Sequence, residues 1–308
     1  MSLVVGLAAC GHIGFDAQPD STTRDIVSSD GAPDAPTLRA CPWTTSPTVG
    51  PIVQHSELGS GDIEADPQLV RGDPLTLHFS RIVPTGLQFD VYVAHRPAPG
   101  LGFDAPQPIA ELATTADHEL ALQLDSSGHG YYVRGPVTGG KDLYEVQTDG
   151  GGVFHDVRVI SELESGGDEY DPFSSTDGLS MWFTAGPGTA QVIYTASRTS
   201  TSQPWSNIAP FPLDGPGPDG GASLTGDGLL VVWASAPAQT TPSEIYFATR
   251  ATTTSPWGPA QLLGPGTISI PSTHDLEPSI REDGCELFFS RSTGATDYNW
   301  EIYSTTLQ

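Results

Sequence analysis

Short apolar runs alternate with turn residues along most of the 308-residue chain. Five of these runs follow a turn signal, usually Asp-Gly, whose glycine accepts positive φ and whose aspartate bonds its own backbone. The runs are rich in aromatic and β-branched residues, which favour half-buried strands. They read LTLHFS after Asp73-Pro74, HGYYVR after Ser127-Gly128, LSMWFT after Asp177-Gly178, LLVVWA after Asp227-Gly228 and CELFFS after Asp283-Gly284. The pattern predicts five equivalent strands.

A second strand signal, an aliphatic residue followed by tyrosine, recurs after each of these runs. Its copies are Val91-Tyr92, Leu143-Tyr144, Ile193-Tyr194, Ile245-Tyr246 and Ile302-Tyr303. Successive tyrosines are 52, 50, 52 and 57 residues apart. Self-similarity at a period of this size is typical of repeat architectures. We therefore predict a unit of about fifty residues repeated five times.

Each unit also carries an acid ahead of its turn, and the first four units carry an aromatic residue after the tyrosine. The acids are Glu64, Glu119, Glu169, Asp219 and Asp275, and the aromatics are Phe103, Phe154, Trp205 and Trp257. The aromatic residue is predicted to open a further strand, which gives four short strands in each unit. Four strands in about fifty residues are typical of one blade of a β-propeller. A β-sandwich, the alternative all-β fold, would not show the fifty-residue register.

The two ends of the chain indicate how the blades close into a ring. The fifth unit ends at Gln308, five residues after Tyr303, and has no room for its aromatic-led strand. A spare strand of this kind begins at Trp43, ahead of the first unit. Pairing the two would leave no exposed sheet edge. We predict an all-β, five-bladed β-propeller of four-stranded blades, closed by an N-terminal strand that completes the last blade.

Three units extend the acid to acid-x-x-Pro, at Glu64 to Pro67, Glu169 to Pro172 and Asp275 to Pro278. With the Asp-Gly turn and the tyrosine strand, this pattern resembles the TolB-type, WD40-like propeller repeats of bacterial envelope proteins. The resemblance covers roughly residues 43 to 308 and departs at residues 118–121, which lack the proline. It implies a propeller at the cell envelope and names no ligand.

The first forty residues differ from the rest of the chain. Residues 7–10 read Leu-Ala-Ala-Cys, which resembles the lipobox of a bacterial lipoprotein and implies lipid attachment at Cys10. The segment that follows is rich in Pro, Ser, Thr and Asp, and such a composition cannot bury enough apolar surface to fold. We predict a truncated lipoprotein-type signal segment at 1–10, a disordered tether at 11–40 and the propeller at 41–308. The implied location is the bacterial envelope, on its periplasmic or cell-surface side.

Two cysteines remain for the propeller. Cys41 precedes the predicted closing strand, and Cys285 lies in the last blade, which that strand would join. A disulfide between them would fasten the ring where it is weakest, in an oxidising compartment. The alternative is two unrelated thiols.

The formal charge is −25, with Lys141 as the only lysine, which excludes nucleic-acid binding through a basic surface. The resemblance places the repeated acids Glu64, Glu119, Glu169, Asp219 and Asp275 at one mouth of the propeller channel. There they would form a ring suited to Ca²⁺ or to a basic partner. The alternative is that they cap turns and pair with Arg81, Arg134 and Arg291.

Catalytic signatures such as His-Glu-x-x-His, Gly-x-Ser-x-Gly or a phosphate loop do not occur in the sequence. We therefore expect a non-enzymatic binding or scaffold module with a protein partner, a monomeric head and no required cofactor. The alternative is a five-bladed carbohydrate-active enzyme, similar to glycoside hydrolases, or a glycan-binding propeller. A catalytic pair of acids should then be an exception to the repeat rather than part of it.

Overall fold

The computed structural model describes residues 41, 43, 46–83, 88–149, 152–186, 190–213, 217–236, 242–270, 272–292 and 299–308. The predicted signal segment and tether, with Cys10, lie outside these residues. Within them the chain forms five four-stranded sheets whose strands pair antiparallel. Among the described residues, no helix is long and apolar enough to span a membrane.

The strands follow the repeat, with one sheet for each unit. Blade 1 comprises β2 (Glu64–Val70), β3 (Asp73–Val83), β4 (Gln88–His95) and β5 (Gln107–Pro108). Blade 2 comprises β6 (Asp117–Leu124), β7 (His129–Pro136), β8 (Asp142–Thr148) and β9 (Phe154–Val159). Blade 3 comprises β10 (Glu169–Ser174), β11 (Ser180–Ala185), β12 (Val192–Ser197) and β13 (Ser206–Pro210). Blade 4 comprises β14 (Asp219–Leu224), β15 (Leu230–Ser235), β16 (Glu244–Thr249) and β17 (Gln261–Leu262). Blade 5 comprises β18 (His274–Ile280), β19 (Glu286–Ser292), β20 (Trp300–Thr306) and β1 (Val53–Gln54).

The first strand of each blade lies innermost, and each of these strands contacts the first strand of the next blade. The ring runs β2, β6, β10, β14, β18 and back to β2. The apolar core lies between neighbouring blades, as where Tyr131 of blade 2 packs with Met181 and Trp205 of blade 3. The predicted five-bladed propeller is confirmed.

Closure of the ring is also confirmed, because β1 completes the sheet of blade 5. Val53 pairs with Ser304 and Gln54 with Tyr303. The pairing starts later than the sequence predicts, since Trp43 lies outside the strand. Its indole Nε1 donates to the carbonyl of Gly284 at 2.9 Å, so Trp43 anchors the segment ahead of the strand.

The predicted disulfide joins Cys41 to Cys285, with their Cα atoms 5.1 Å apart. The alternative of two unrelated thiols is therefore wrong. The backbone supports the same contact, because the N–H of Cys41 donates to the carbonyl of Asp283 at 3.2 Å. The turn before β19 is thus tied to the N-terminal end of the propeller.

In blades 1, 3 and 4 the outer strand begins after its aromatic residue rather than at it. In each of these blades an arginine four residues after the tyrosine stacks on that ring. The pairs are Arg96 on Phe103 at 5.2 Å, Arg198 on Trp205 at 4.2 Å and Arg250 on Trp257 at 4.2 Å. Only the outer strand of blade 2 starts at the predicted aromatic, Phe154. Stacking under an arginine therefore holds the ring outside the ladder.

Candidate active site

The five repeated acids that sequence analysis selects are buried, each at most 1 % exposed. They are Glu64, Glu119, Glu169, Asp219 and Asp275. Glu64 shows the local role: its Oε1 accepts from the N–H of Ser60 at 2.9 Å and from Nε of Arg81 at 3.0 Å. Such contacts fix the loop that enters the blade.

Three other acids of this set also accept hydrogen bonds from the entering loop or from an arginine. Thr114 donates its hydroxyl to Glu119 at 2.8 Å, and the N–H of Ser165 donates to Glu169 at 3.0 Å. Asp275 receives both Nε and Nη2 of Arg291, at 2.6 and 2.9 Å. These contacts fit the turn-capping alternative. Across the described residues, no group of three or more His, Cys, Asp or Glu could hold a metal ion, and the cation-binding role stays a prediction.

Two positions after each repeated acid, the inner strand contains a bulge. The pairing of the inner strand with the next strand shifts register there in every blade. The residue at this position has a positive φ, between 51° and 64°, in all five blades. These residues are Asp66, Ala121, Asp171, Gly221 and Glu277. Because four of the five are not glycine, the left-handed backbone carries a cost of about 1 kcal/mol or more at each. A bulge changes the direction of a side chain.

In blades 1, 3 and 5 the bulge carries an acid, and we refer to Asp66, Asp171 and Glu277 as the bulge carboxyls. Oε2 of Glu277 accepts from the N–H of Asp66 at 2.7 Å and from the hydroxyl of Ser290 at 2.6 Å. Glu277 of blade 5 therefore contacts the bulge of blade 1. Blades 2 and 4 carry Ala121 and Gly221 instead, so the acids are an exception to the repeat.

Asp171 makes the corresponding contacts between blades 3 and 4. Its Oδ2 accepts from the hydroxyl of Thr184 at 3.0 Å and from the N–H of Gly221 at 3.1 Å. Asp66 is 7 % exposed, whereas Asp171 and Glu277 are half-buried. The group is thus enclosed by the inner strands and still reached by solvent.

The electrostatics of the bulge carboxyls favour a bound proton. Burial is the main cause that raises the pKa of Asp66 well above its ordinary value and that of Asp171 to about 7. The negative charge of Glu277 is the next cause that raises the pKa of each of these two carboxyls. A hydrogen bond between the carboxyl groups of Asp66 and Glu277 raises the pKa of Asp66 further. Closely spaced carboxylates cannot all ionise together, and coupled groups titrate as a unit. The group therefore combines a carboxyl that keeps its proton with carboxylates that can accept one.

We expect Glu277→Gln to lower the pKa of Asp171, because the substitution removes the charge that opposes its ionisation. Burial remains, so the pKa should stay above the ordinary aspartate value of about 3.9. A ¹³C NMR titration of the Asp171 carboxyl measures the change. Asp104→Asn, at an exposed position, is the matched control and should leave that pKa in place. An unchanged pKa in Glu277→Gln would show that the two groups are not coupled.

The sequence does not distinguish Asp66, Asp171 or Glu277 from the acids around them, because the repeat points to the acid that recurs in every unit. The available signal is the third position of acid-x-x-Pro, which is acidic in all three units that have the proline. In the other two units the position carries alanine and glycine. The bulge itself leaves no such signal, since only one of its five copies is glycine.

The fold is shared with solved glycoside hydrolases. A thermostable family-43 glycoside hydrolase is 12 % identical, covers 83 % of this chain and 93 % of its own, and has a TM-score of 0.56. The catalytic domain of the Coprinopsis cinerea GH62 α-L-arabinofuranosidase is 11 % identical, with 85 % and 97 % covered and a TM-score of 0.55. The endo-arabinase from Bacteroides thetaiotaomicron is 14 % identical, with 83 % and 96 % covered and a TM-score of 0.54. At these identities the likeness shows the fold alone. No family model and no curated protein matches the sequence.

These structures correct two expectations from the sequence. The assignment to TolB-type, WD40-like repeat proteins is wrong, because the structural neighbours are glycoside hydrolase propellers. The expectation of a non-enzymatic binding or scaffold module is contradicted by the same neighbours, which are glycoside hydrolases. The physical reason is that turn, tyrosine and acid-x-x-Pro signals specify the geometry of a blade. Propellers of different function share that geometry, so the signals do not separate families.

Proposed function

We propose that the protein is a glycoside hydrolase that uses the bulge carboxyls Asp66, Asp171 and Glu277. The observation that carries the proposal is the meeting of three acids from three of the five inner strands, at a position where the repeat does not require an acid. Hydrolysis of a glycosidic bond needs one carboxylic acid that gives a proton and one carboxylate that acts on the opposite side of the sugar.

The roles follow from the protonation of the three groups. The pair formed by Asp66 and Glu277 shares a hydrogen bond and keeps a proton, so it supplies the general acid. Asp171, whose pKa is about 7, is the general base and activates the attacking water once it is ionised. The proton passes from the pair to the glycosidic oxygen, and Asp171 takes one proton from the water that adds to the sugar.

The substrate class that we propose is a glycan that contains arabinose. Support comes from the neighbours, since one is an α-L-arabinofuranosidase and another an endo-arabinase. The acidic surface fits a neutral glycan better than an anionic one. We further propose that the protein is exported, because its disulfide is typical of an oxidising compartment.

The test is sugar release from arabinan, arabinoxylan and 4-nitrophenyl α-L-arabinofuranoside. We expect Asp171→Asn and Glu277→Gln to lower kcat/KM by about 10²–10⁴-fold, the usual contribution of a general acid or base. In the wild type, kcat/KM should rise as the pH passes through about 7, where Asp171 ionises. Asp104→Asn, on the exposed surface, should retain the wild-type rate.

Two results would contradict the proposal. One is a folded wild-type protein that releases no sugar from any of these substrates. The other is Asp171→Asn that hydrolyses them at the wild-type rate. In both cases circular dichroism establishes that the protein is folded, so the loss or retention of activity reports on the bulge carboxyls themselves.

A further inference from the structure

In three blades an arginine lies at the junction with the neighbouring blade. We call Arg96, Arg198 and Arg250 the junction arginines, since each follows its blade's tyrosine by four residues and stacks on the aromatic ahead of the outer strand. Each Nε also donates to a carbonyl at the start of its blade's second strand. The acceptors are Pro74 at 3.0 Å, Gly178 at 2.7 Å and Gly228 at 2.7 Å. In blade 5 the position is Leu307, which is buried in an apolar cluster with Trp43.

Blade 2 has Thr148 at this position, a shorter side chain that has no guanidinium group. A cleft of about 490 Å³ lies there, between blades 1 and 2. Phe154, the aromatic that an arginine would cover, forms part of its wall together with Thr148. The cleft therefore occupies the space that a junction arginine fills in three other blades.

The opposite wall of the cleft can be compared with the junction between blades 2 and 3. There Nη2 of Arg198 donates to the hydroxyl of Tyr131 at 3.0 Å. The strand pairing makes His78 the equivalent of Tyr131, since each precedes the residue that pairs with its blade's tyrosine. His78 lines the cleft and is 4 % exposed, and its Nδ1 has no hydrogen-bond partner among the described residues.

His78 has the properties of an acceptor for an N–H donor. Burial lowers its pKa to about 4, so the imidazole is neutral near pH 7. A neutral imidazole presents one nitrogen that accepts a hydrogen bond. His78 can therefore accept a hydrogen bond at this wall of the cleft, as the hydroxyl of Tyr131 accepts from Arg198 at the next junction.

Charge selects the kind of ligand. The lining includes four acids, Asp73, Glu111, Asp125 and Asp149, and none of the described lining residues is a lysine or an arginine. A cleft with walls of one charge concentrates ions of the other sign. The aromatic face of Phe154 adds the attraction that a ring has for a cation.

We propose that the cleft between blades 1 and 2 binds a small organic cation, a guanidinium group on a short alkyl chain, in the place of the missing junction arginine. The guanidinium stacks on Phe154 and donates to His78, and its alkyl chain follows the apolar side chains of Val93 and Ile109. This site is separate from the bulge carboxyls and independent of the proposed hydrolysis.

The test uses n-propylguanidinium as the probe and n-propylurea as its neutral isostere, with thermal unfolding and calorimetric titration of the full chain. The cation should raise Tm in a saturable manner, as a ligand of the folded state does, while the urea analogue should not. Equal responses to the two compounds, or no response to the cation up to tens of millimolar, would overturn the proposal.

A variant that supplies its own guanidinium gives a sharper result. Thr148→Arg should raise Tm without any probe and should no longer respond to n-propylguanidinium. A response equal to that of the wild type would place the cation elsewhere and overturn the proposal.

A second variant keeps the test decisive if Thr148→Arg does not fold. Phe154→Leu retains an apolar wall and removes the aromatic face, so the affinity for n-propylguanidinium should fall about fivefold. Unchanged affinity in Phe154→Leu would overturn the stacked position. Arg250→Thr is the matched positive control, because it opens the same space in blade 4 and should gain a response to the probe.

Discussion

Replacing Cys41 and Cys285 with serine should lower the free energy of unfolding by about 4–5 kcal/mol. The bridge joins residues that are 244 positions apart, so its loss frees nearly the whole propeller in the unfolded state. For a domain of this size the midpoint of thermal unfolding should fall by roughly 10–15 °C. Denaturation in guanidinium chloride, followed by tryptophan fluorescence, measures the difference.

Reduction of the disulfide in the wild type provides the control for this prediction. Adding a reductant to the wild type should reproduce the double variant, whereas the double variant should not respond to the reductant. The ring should still close, because the Cys41 amide and the Trp43 indole hold the same turn through Asp283 and Gly284. A wild type whose stability is indifferent to reductant would contradict the role of the bridge.

Replacing Glu286 with leucine should destabilise the protein by about 3–5 kcal/mol, because it leaves the guanidinium of Arg96 buried without its carboxylate. The two side chains join blade 5 to blade 1 through paired hydrogen bonds of 2.6 and 2.7 Å, and they are 4 % and 0 % exposed. Without Glu286, Arg96 keeps the carbonyl of Pro74, which carries no charge. Urea denaturation at pH 7 gives the change in stability.

Replacing Arg96 instead of Glu286 should lower the stability of the protein less. In Arg96→Leu, Glu286 keeps Arg281, whose Nη1 lies 3.0 Å from its Oε2. The double variant should be more stable than the sum of the single changes predicts, since no buried charge is left over. Arg158→Leu removes a half-exposed cation and should cost under about 1 kcal/mol. If the stability changes of the two single variants add up to that of the double variant, the interaction between Arg96 and Glu286 contributes nothing to stability.

The fold could be predicted from the sequence because the signals of a blade are local. A turn such as Asp227-Gly228 and a dipeptide such as Ile245-Tyr246 each fix a short stretch of backbone, and their repetition fixes the rest. Closure of the ring could also be predicted from the sequence, since a strand is missing after Tyr303 and a spare strand lies near Trp43. The bounds of the outer strands were less accurate, because the stacking of Arg198 on Trp205, both in the connection between two strands, leaves the ring outside the strand.

The candidate site could not be predicted in the same way. Asp66, Asp171 and Glu277 meet only because the blades close into a ring, which brings together residues more than one hundred positions apart in sequence. Their backbone conformation is typical of glycine, so the residue types themselves argue against the bulge. The features that all copies of the repeat share define the geometry of a blade, whereas the candidate site lies at the position where the copies differ.

The disulfide also determines how the propeller would carry a mechanical load. Force applied to the chain ahead of Cys41 passes through a covalent bond to Cys285, at the turn before β19. The hydrogen bond of Trp43 to Gly284 and the two-residue strand β1 both lie beyond that bond, so the bridge shields them from the pull. The oxidised propeller should therefore resist traction from its N-terminal side, and the reduced one should unzip at blade 5.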